Sequence, residues 1–416
     1  MKKVTRREFL AAGGGAALGL ALGGRAEGQG REDVRVGVIY PLSGPVASIG
    51  QTCKKGVELA ADEINEAGGI KALGGARLRL VWGDSQSKPD VGVSEAQRLL
   101  GREKVQAFVG SYQSDVTMAI ARVTEQVGIP YVSAIAVADK LTEQGYKWVF
   151  RINVKGTWIG RDFVKAAMDL LGEAQIPVKT VAILYVNNDY GQSTAKGFRE
   201  ALKSLAPLWN VAADISYGYQ APNVDTEVAR VKAANPDVLF NVGYSADEIL
   251  VARVMEKLRF VPKAYFLSGG ASEPAYVRDL GKKAKGLFES GSWNPQLVRA
   301  GVSQKYKARF HEDLSYYSAF TYSALHVVAQ ALEAAKSTQP AALQKALRET
   351  AFDGPWNGTP ARPIKFDEAG QNVNATRIAS QFTEIDGAVR GIPVWPKAVA
   401  ERKAQLPLED FDSKQK

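Results

Sequence analysis

Sulfur and imidazole are scarce in this chain: its 416 residues include one cysteine, Cys53, and two histidines, His311 and His326. A lone cysteine excludes an intrachain disulfide. At helical spacing between Ile49 and Val57 it reads as a small half-buried hydrophobe. Cysteine and histidine so few and so far apart offer no zinc cluster. No Gly-x-x-x-x-Gly-Lys-Ser/Thr phosphate loop occurs, and no Gly-x-Ser-x-Gly nucleophile elbow. Gly13-Gly14-Gly15 follows no strand and is no dinucleotide fingerprint. Runs of Lys and Arg are missing, as is any aromatic-plus-basic RNA motif, so nucleic acid is not an expected partner. Asp189 in "NNDYG" could stand in a catalytic site, but a carboxylate at a strand-to-helix junction reads first as a helix cap. The sequence predicts neither an enzyme nor a bound cofactor or metal.

Long apolar runs are lacking too. The stretch Leu10 to Leu22, rich in Ala and Gly, spans about 13 residues, short of the ~20 that cross a bilayer as a helix. Before it stand Lys2, Lys3, Arg6 and Arg7, and after it Gly24-Arg25-Ala26 offers a small-x-small cleavage site. "TRREFL", Thr5 to Leu10, resembles a twin-arginine export signal, with Ala11 where that pattern often has Lys. Residues 1–26 are therefore expected to address the chain to the twin-arginine export machinery. This segment holds five basic residues and one acidic, so the formal net charge of +9 falls to +5 in the remainder. That balance is mildly basic and points to no polyanion.

What the chain does have is alternation. At 45% hydrophobic and 23% charged, it has the composition of an ordinary globular protein. "VRVGVIY", Val34 to Tyr40, reads as a strand, followed by a helix from about Gly50 to Ala67. "LRLVW", a helix near Val91 to Leu100, "VQAFVG", a helix from Ser114 to Val127 and "IPYVSAI" continue the rhythm. It restarts at "VAILYV", Val181 to Val186, with a helix from about Tyr190 to Leu205. "NVAADISY", "DVLFNVG" and "AYFLSGG" follow, with helices ending near Ala234 and Leu258. Nearly continuous apolar strands alternating with helices predict α/β architecture, each series a doubly wound parallel sheet covered on both faces. "GQTCKKGVELA", Gly50 to Ala60, is echoed by "GQSTAKGFREA", Gly191 to Ala201, just after the first strand of each series. The echo predicts two similar lobes. In the last third, "KGLFESGSW" reads as a strand and loop. Helices follow over Val302–Leu314, Tyr317–Ala335 and Pro340–Thr350, then short strands "RPIKF", "TRIASQFTEI" and "RGIPVW".

Polar residues collect where these strands end, the place at which open α/β sheets bind ligands. The richest stretch is "FVGSYQSDVT", Phe108 to Thr117: a strand, then Ser111, Tyr112, Gln113, Ser114 and Thr117, with no Lys or Arg. Ser114 could simply cap the following helix. Equally, a helix start offers free N–H groups and a positive dipole end that bind a carboxylate without an arginine. Tyr190 and Tyr244 follow strands of the second series and offer apolar faces with polar tips; each could also be a packing residue.

"VGVIYPLSGPVASIGQ…GVELAADEINEAGGI", "FVGSYQSDVT", "IPYVSAIA", "NNDYGQSTAKGF" and "ANPDVLFNVGY", taken in order, resemble the branched-chain amino acid (leucine/isoleucine/valine) receptors. These are type I periplasmic solute-binding proteins of ABC importers. The resemblance runs from about Val34 to Trp395. It implies two lobes joined by three crossovers, closing on a small-molecule ligand in the periplasm, with an inner-membrane ABC permease as partner. It maps the first lobe to 33–153 plus 291–373 and the second to 154–290 plus 374–416. By the same resemblance Ser114 binds a ligand carboxylate, Ile135 stands at a backbone-carbonyl position, and Val137 stands where a threonine is usual. Tyr190 and Tyr244 fall on second-lobe tyrosines, and Ile49 on a first-loop aromatic. The acid that grips an ammonium should fall within Ser268 to Ala271, around Gly270, where no acid stands; Glu273 lies just beyond. Tyr112 and Trp158 are extra aromatic candidates. The implied function is a receptor for an amino acid or a related carboxylate or amide. The alternatives are a sensor lobe for a membrane kinase or chemoreceptor, and an exported α/β enzyme.

Overall fold

The computed structural model describes residues 32–291, 301–357, 359, 362–411 and 413. The export-type segment therefore lies outside the described residues, as does the "SW" of "FESGSW".

Strands β1 (Val34–Tyr40), β2 (Leu78–Asp84), β3 (Ala107–Gly110), β4 (Tyr131–Ser133) and β5 (Val149–Arg151) form one sheet in the order β2-β1-β3-β4-β5. All four pairings are parallel. Side chains of β1 explain the double winding. Val34, Val36, Val38 and Tyr40 point to one core, with helix α1 (Ala47–Glu66) and the later α10 (Tyr316–Ala335). Ile39 points to another core, with α2 (Pro89–Gly101) and α3 (Ser114–Val127). Period-two alternation thus feeds two apolar faces, and each must be covered.

A second sheet runs β12-β11-β10-β9-β8-β6-β7. Its parallel part is β6 (Thr180–Val186), β7 (Asn210–Tyr217), β8 (Val238–Gly243), β9 (Ala264–Gly269) and β10 (Phe288–Gly291). β11 (Ile378–Ile385) and β12 (Ala388–Trp395) extend it in antiparallel sense. Around it lie α4 (Gly156–Glu173), α5 (Asp189–Leu205), α6 (Asp225–Ala233), α7 (Ser245–Lys257) and α8 (Pro274–Leu280). α9 (Val302–Phe310) and α11 (Pro340–Glu349) return to the first sheet's side, α9 against α1 and α11 against α10. The chain so crosses between sheets three times: after β5, after β10 and before β11.

One expectation is corrected. "RPIKF" forms no strand: Ile364 and Phe366 make single bridges to Phe352 and Asn372. Pro363 has no N–H to give a ladder. α4 and the three-residue β5 were not foreseen.

The first and third crossovers are tied together at a buried arginine. Arg151 donates from Nε to Gln371 Oε1 (2.7 Å), from Nη1 to the Ala138 carbonyl (2.6 Å) and from Nη2 to Thr142 Oγ1 (2.6 Å). Burial draws its pKa down to about 10, against the pull of Asp139. Gln371 Nε2 donates to the Asn153 carbonyl (2.8 Å) and Asn372 Nδ2 to that of Ile152 (2.9 Å).

Candidate functional site

The C-terminal ends of the two sheets face each other across a cavity of about 40 Å3. β3 delivers Tyr112 and Ser114 to it, and the segment after β4 delivers Ile135, Ala136 and Val137. From the other sheet come Gly243, Tyr244 and Gly269 at the ends of β8 and β9, with Tyr190 at the start of α5. Tyr316 and Tyr317, Ser272, Ser290 and Arg377 complete the lining.

Ser114 is the first residue of α3, whose capping residue is Gln113 with no side-chain cap bond. The hydroxyl of Ser114 therefore caps nothing. It accepts from the Ala138 N–H (3.2 Å), which ties α3 to the segment after β4. Gln113 faces the other lobe, Nε2 donating to Tyr219 Oη (3.1 Å), while its Oε1 has no partner among the described residues. Thr117 stands one turn further in, fully buried, and donates back to the Gln113 carbonyl (2.8 Å); it does not reach the cavity. The Ile135 carbonyl accepts from Asn153 Nδ2 (2.8 Å), and the Val137 carbonyl from the Gly156 N–H (2.7 Å). Gly270 lies behind the wall, where a Cβ would press into the backbone of Tyr244 and Ser245. Ile49 and Trp158 are not among the lining residues, and Trp158 packs under Lys155 and Arg161.

Five tyrosines, Tyr112, Tyr190, Tyr244, Tyr316 and Tyr317, line the cavity. Tyr112 meets Tyr244 and Tyr317 edge-on, with centroids 5.7 and 5.6 Å apart, and Tyr190 tilts against Tyr244 at 5.5 Å. Tyr190 donates to the Ser268 carbonyl, and Tyr317 Oη to that of Gly269 (3.0 Å). Burial raises the pKa of all five, so each remains a neutral donor. Tyr316 and Tyr317 were missed in the sequence, although they share a signal with the other three: each tyrosine stands at a helix start.

Glu273 does not line the cavity. It is buried and accepts from Tyr112 Oη (3.3 Å), a bond that joins the two lobes. Burial pushes its pKa up to about 8, so it sits there as a carboxylic acid. Other bonds across the cleft run from Asp189 N–H to Asp115 Oδ1 (3.2 Å) and from Asp139 N–H to Ser193 Oγ (3.1 Å). Asp115 is raised by burial and by Asp189. Asp189 itself begins α5, where Asn188 caps the helix and accepts from Gly191 N–H. No group of His, Cys, Asp and Glu that could hold a metal occurs among the described residues.

A cavity shared between the carboxyl ends of two α/β sheets, lined from both and bridged by hydrogen bonds, is the architecture of a two-lobed solute receptor. The chain belongs to the family described as periplasmic binding protein, whose model matches residues 33–387. Among curated proteins it is 30% identical over 412 residues to Leu/Ile/Val-binding protein homolog 8 of Brucella suis, covering 94% of this chain and 98% of that one. Among solved structures it superposes with TM-score 0.74 on LivJ of Streptococcus pneumoniae in complex with isoleucine, at 22% identity over 87% of this chain and 100% of the other. A solute-binding protein of Rhodopseudomonas palustris in complex with 4-hydroxybenzoate gives TM-score 0.73 at 19% identity, covering 87% and 96%. The resemblance to branched-chain amino acid receptors therefore extends over the whole length of such proteins. The family is one of solute-binding receptors, and the chain is a receptor, not an enzyme. No helix among the described residues is long and apolar enough to cross a membrane.

Proposed function

We propose that this receptor is exported to the periplasm through the twin-arginine signal in residues 1–26. There it binds a small amino acid or related carboxylate between its lobes and presents it to the inner-membrane permease of an ABC importer. The lobes would comprise 33–153 with 291–373, and 154–290 with 374–416. Relatives that hold isoleucine and 4-hydroxybenzoate support a ligand bearing a carboxylate. The observation that carries the reading is the cavity walled by both sheets, because a ligand there touches both lobes and so favours their closed arrangement.

In this reading the Ser114 hydroxyl, the Val137 N–H and the free N–H groups at the start of α3 take up the carboxylate. Tyr112, Tyr190 and Tyr244 enclose the remainder, and the Ile135 carbonyl offers its second lone pair. Gln113 sets the contact between lobes, while Thr117 and Gly270 shape the backbone behind the site. Titration calorimetry over amino acids, aromatic acids and their amides tests this, combined with small-angle scattering. Binding with a fall in radius of gyration is expected. A panel in which nothing binds and no closure occurs contradicts it.

A further inference from the structure

Among the described residues, the one ionisable side chain in the cavity wall that is not a tyrosine is Arg377, on the third crossover just before β11. It is buried, with 5% of its surface exposed. Nη1 donates to the Ser290 carbonyl (3.1 Å) and Cζ lies 6.0 Å from the ring centroid of Tyr316. Nε has no hydrogen-bond partner among the described residues, and Arg377 makes no ion pair there. Beside it Ser290, 1% exposed and also in the wall, has an unpartnered hydroxyl. Two buried side chains, one of them charged and each with an unpartnered polar atom, thus line the same cavity. Glu289, itself pushed up to about 7 by burial, is drawn down by Arg377 and gives the guanidinium only a partial counter-charge, so part of its desolvation cost remains. An anion in the cavity would offset that cost.

The opposite charge is missing from the wall among the described residues: no Asp or Glu there lines the cavity. The buried carboxyls around it are hydrogen-bonded or only partly ionised at neutral pH. Glu273 bonds Tyr112 and is pushed up to about 8 by burial. Glu289 is pushed up to about 7 by burial, although Arg377 draws it down, and Glu248 is raised well above the usual range. An ammonium group in this cavity would meet tyrosine and serine hydroxyls, the Ile135 carbonyl and a like charge, with no carboxylate among the described lining residues. In so small a space a full charge cannot be far from the guanidinium.

Resting on the receptor reading above, we propose that the site takes small organic carboxylates that lack an ammonium group, with Arg377 as their counter-ion and Ser290 as an added donor. The site discriminates against amino acids of the same shape.

The test is calorimetry with matched pairs: 4-methylpentanoate against leucine, and 3-phenylpropanoate against phenylalanine, each with the corresponding carboxamide. At least one deaminated acid should bind about 100-fold or more tighter than its amino acid, as an unpaired buried ammonium predicts. Its carboxamide should bind weakly. Arg377→Gln should cost that acid about 30-fold or more in affinity. Arg377→Lys should recover part of the loss, and equal thermal midpoints of the two variants would exclude a folding defect. Amino acids that bind as tightly as the acids and close the lobes would overturn the proposal and leave the receptor reading standing. So would an Arg377→Gln protein with unchanged affinity for the acid. Failure of every compound to bind or to close the lobes contradicts both.

Discussion

At the scale of single residues, Ser114 holds two parts of the first lobe together. Ser114→Ala is expected to weaken a carboxylate ligand by ~1–3 kcal/mol, since it leaves a charged acceptor short of a donor. Calorimetry on the two proteins checks this, and unchanged affinity removes Ser114 from the site. Glu273 makes a second prediction. Its pKa is raised from the ordinary 4.5 to about 8 by burial. Below pH 4.5 the folded and unfolded chains both hold the proton. As pH rises the unfolded chain releases it first, so stability from this group declines until about pH 8. Asp247 and Glu289, raised to about 6 and about 7, add with the same sign. The thermal midpoint of the wild type should fall between pH 5 and pH 8, and that of Glu273→Gln should fall less. Equal slopes would mean that Glu273 ionises without cost. Ser114 was legible in the sequence because a serine after a strand and before a helix has few places to go. Arg377 was not. It sits in a stretch that reads as an ordinary strand, and only the third crossover carries it to a cavity built by residues far away in the chain.

At the scale of elements, the sequence echo has a physical reason. Gly50 and Gly191 occupy equivalent places near the starts of α1 and α5, each against a carbonyl at the end of the preceding strand, Pro41 and Val186. Gly56 and Gly197 are equivalent too. A Cβ on Gly56 would run into the backbone at Ser318 of α10, and one on Gly197 into that of Thr157 of α4. The repeated glycines mark where one helix approaches another too closely for a side chain. Gly197→Val should therefore destabilise the fold by ~1–3 kcal/mol through overpacking. Chemical denaturation measures it, and a variant as stable as the wild type would mean that α4 can move aside. The partner helix α4 escaped notice for the same reason that the contact works. Gly156, Gly160 and Gly172 lower its helical propensity, yet Gly160 lets α5 approach. Strands of six to eight residues were legible by length and pattern, and three-residue β4 was legible within the longer apolar run "IPYVSAI"; β5, Val149–Arg151, was not. The antiparallel pair β11 and β12 was legible as strands, but its place in the second sheet follows from topology.

At the scale of the whole molecule, two parallel sheets present their carboxyl ends to one cavity, and buried Arg151 and Gln371 bind two crossovers at its back. Tyr112 to Glu273 and Gln113 to Tyr219 bridge its front. The doubled rhythm of strands and helices was readable in the sequence. The helices of the last third, coming after a second complete series, suggested a return to the first lobe, whereas the return of its strands to the second sheet came with the family resemblance. The account stands or falls on where the ligand lies. A crystal structure of the protein with the compound that co-purifies with it is the most direct measurement. The account predicts a small carboxylate between the two sheets, within about 3 Å of Ser114 Oγ or the Arg377 guanidinium, as hydrogen bonding requires. A ligand bound outside that cleft, or held there by neither residue, would contradict it.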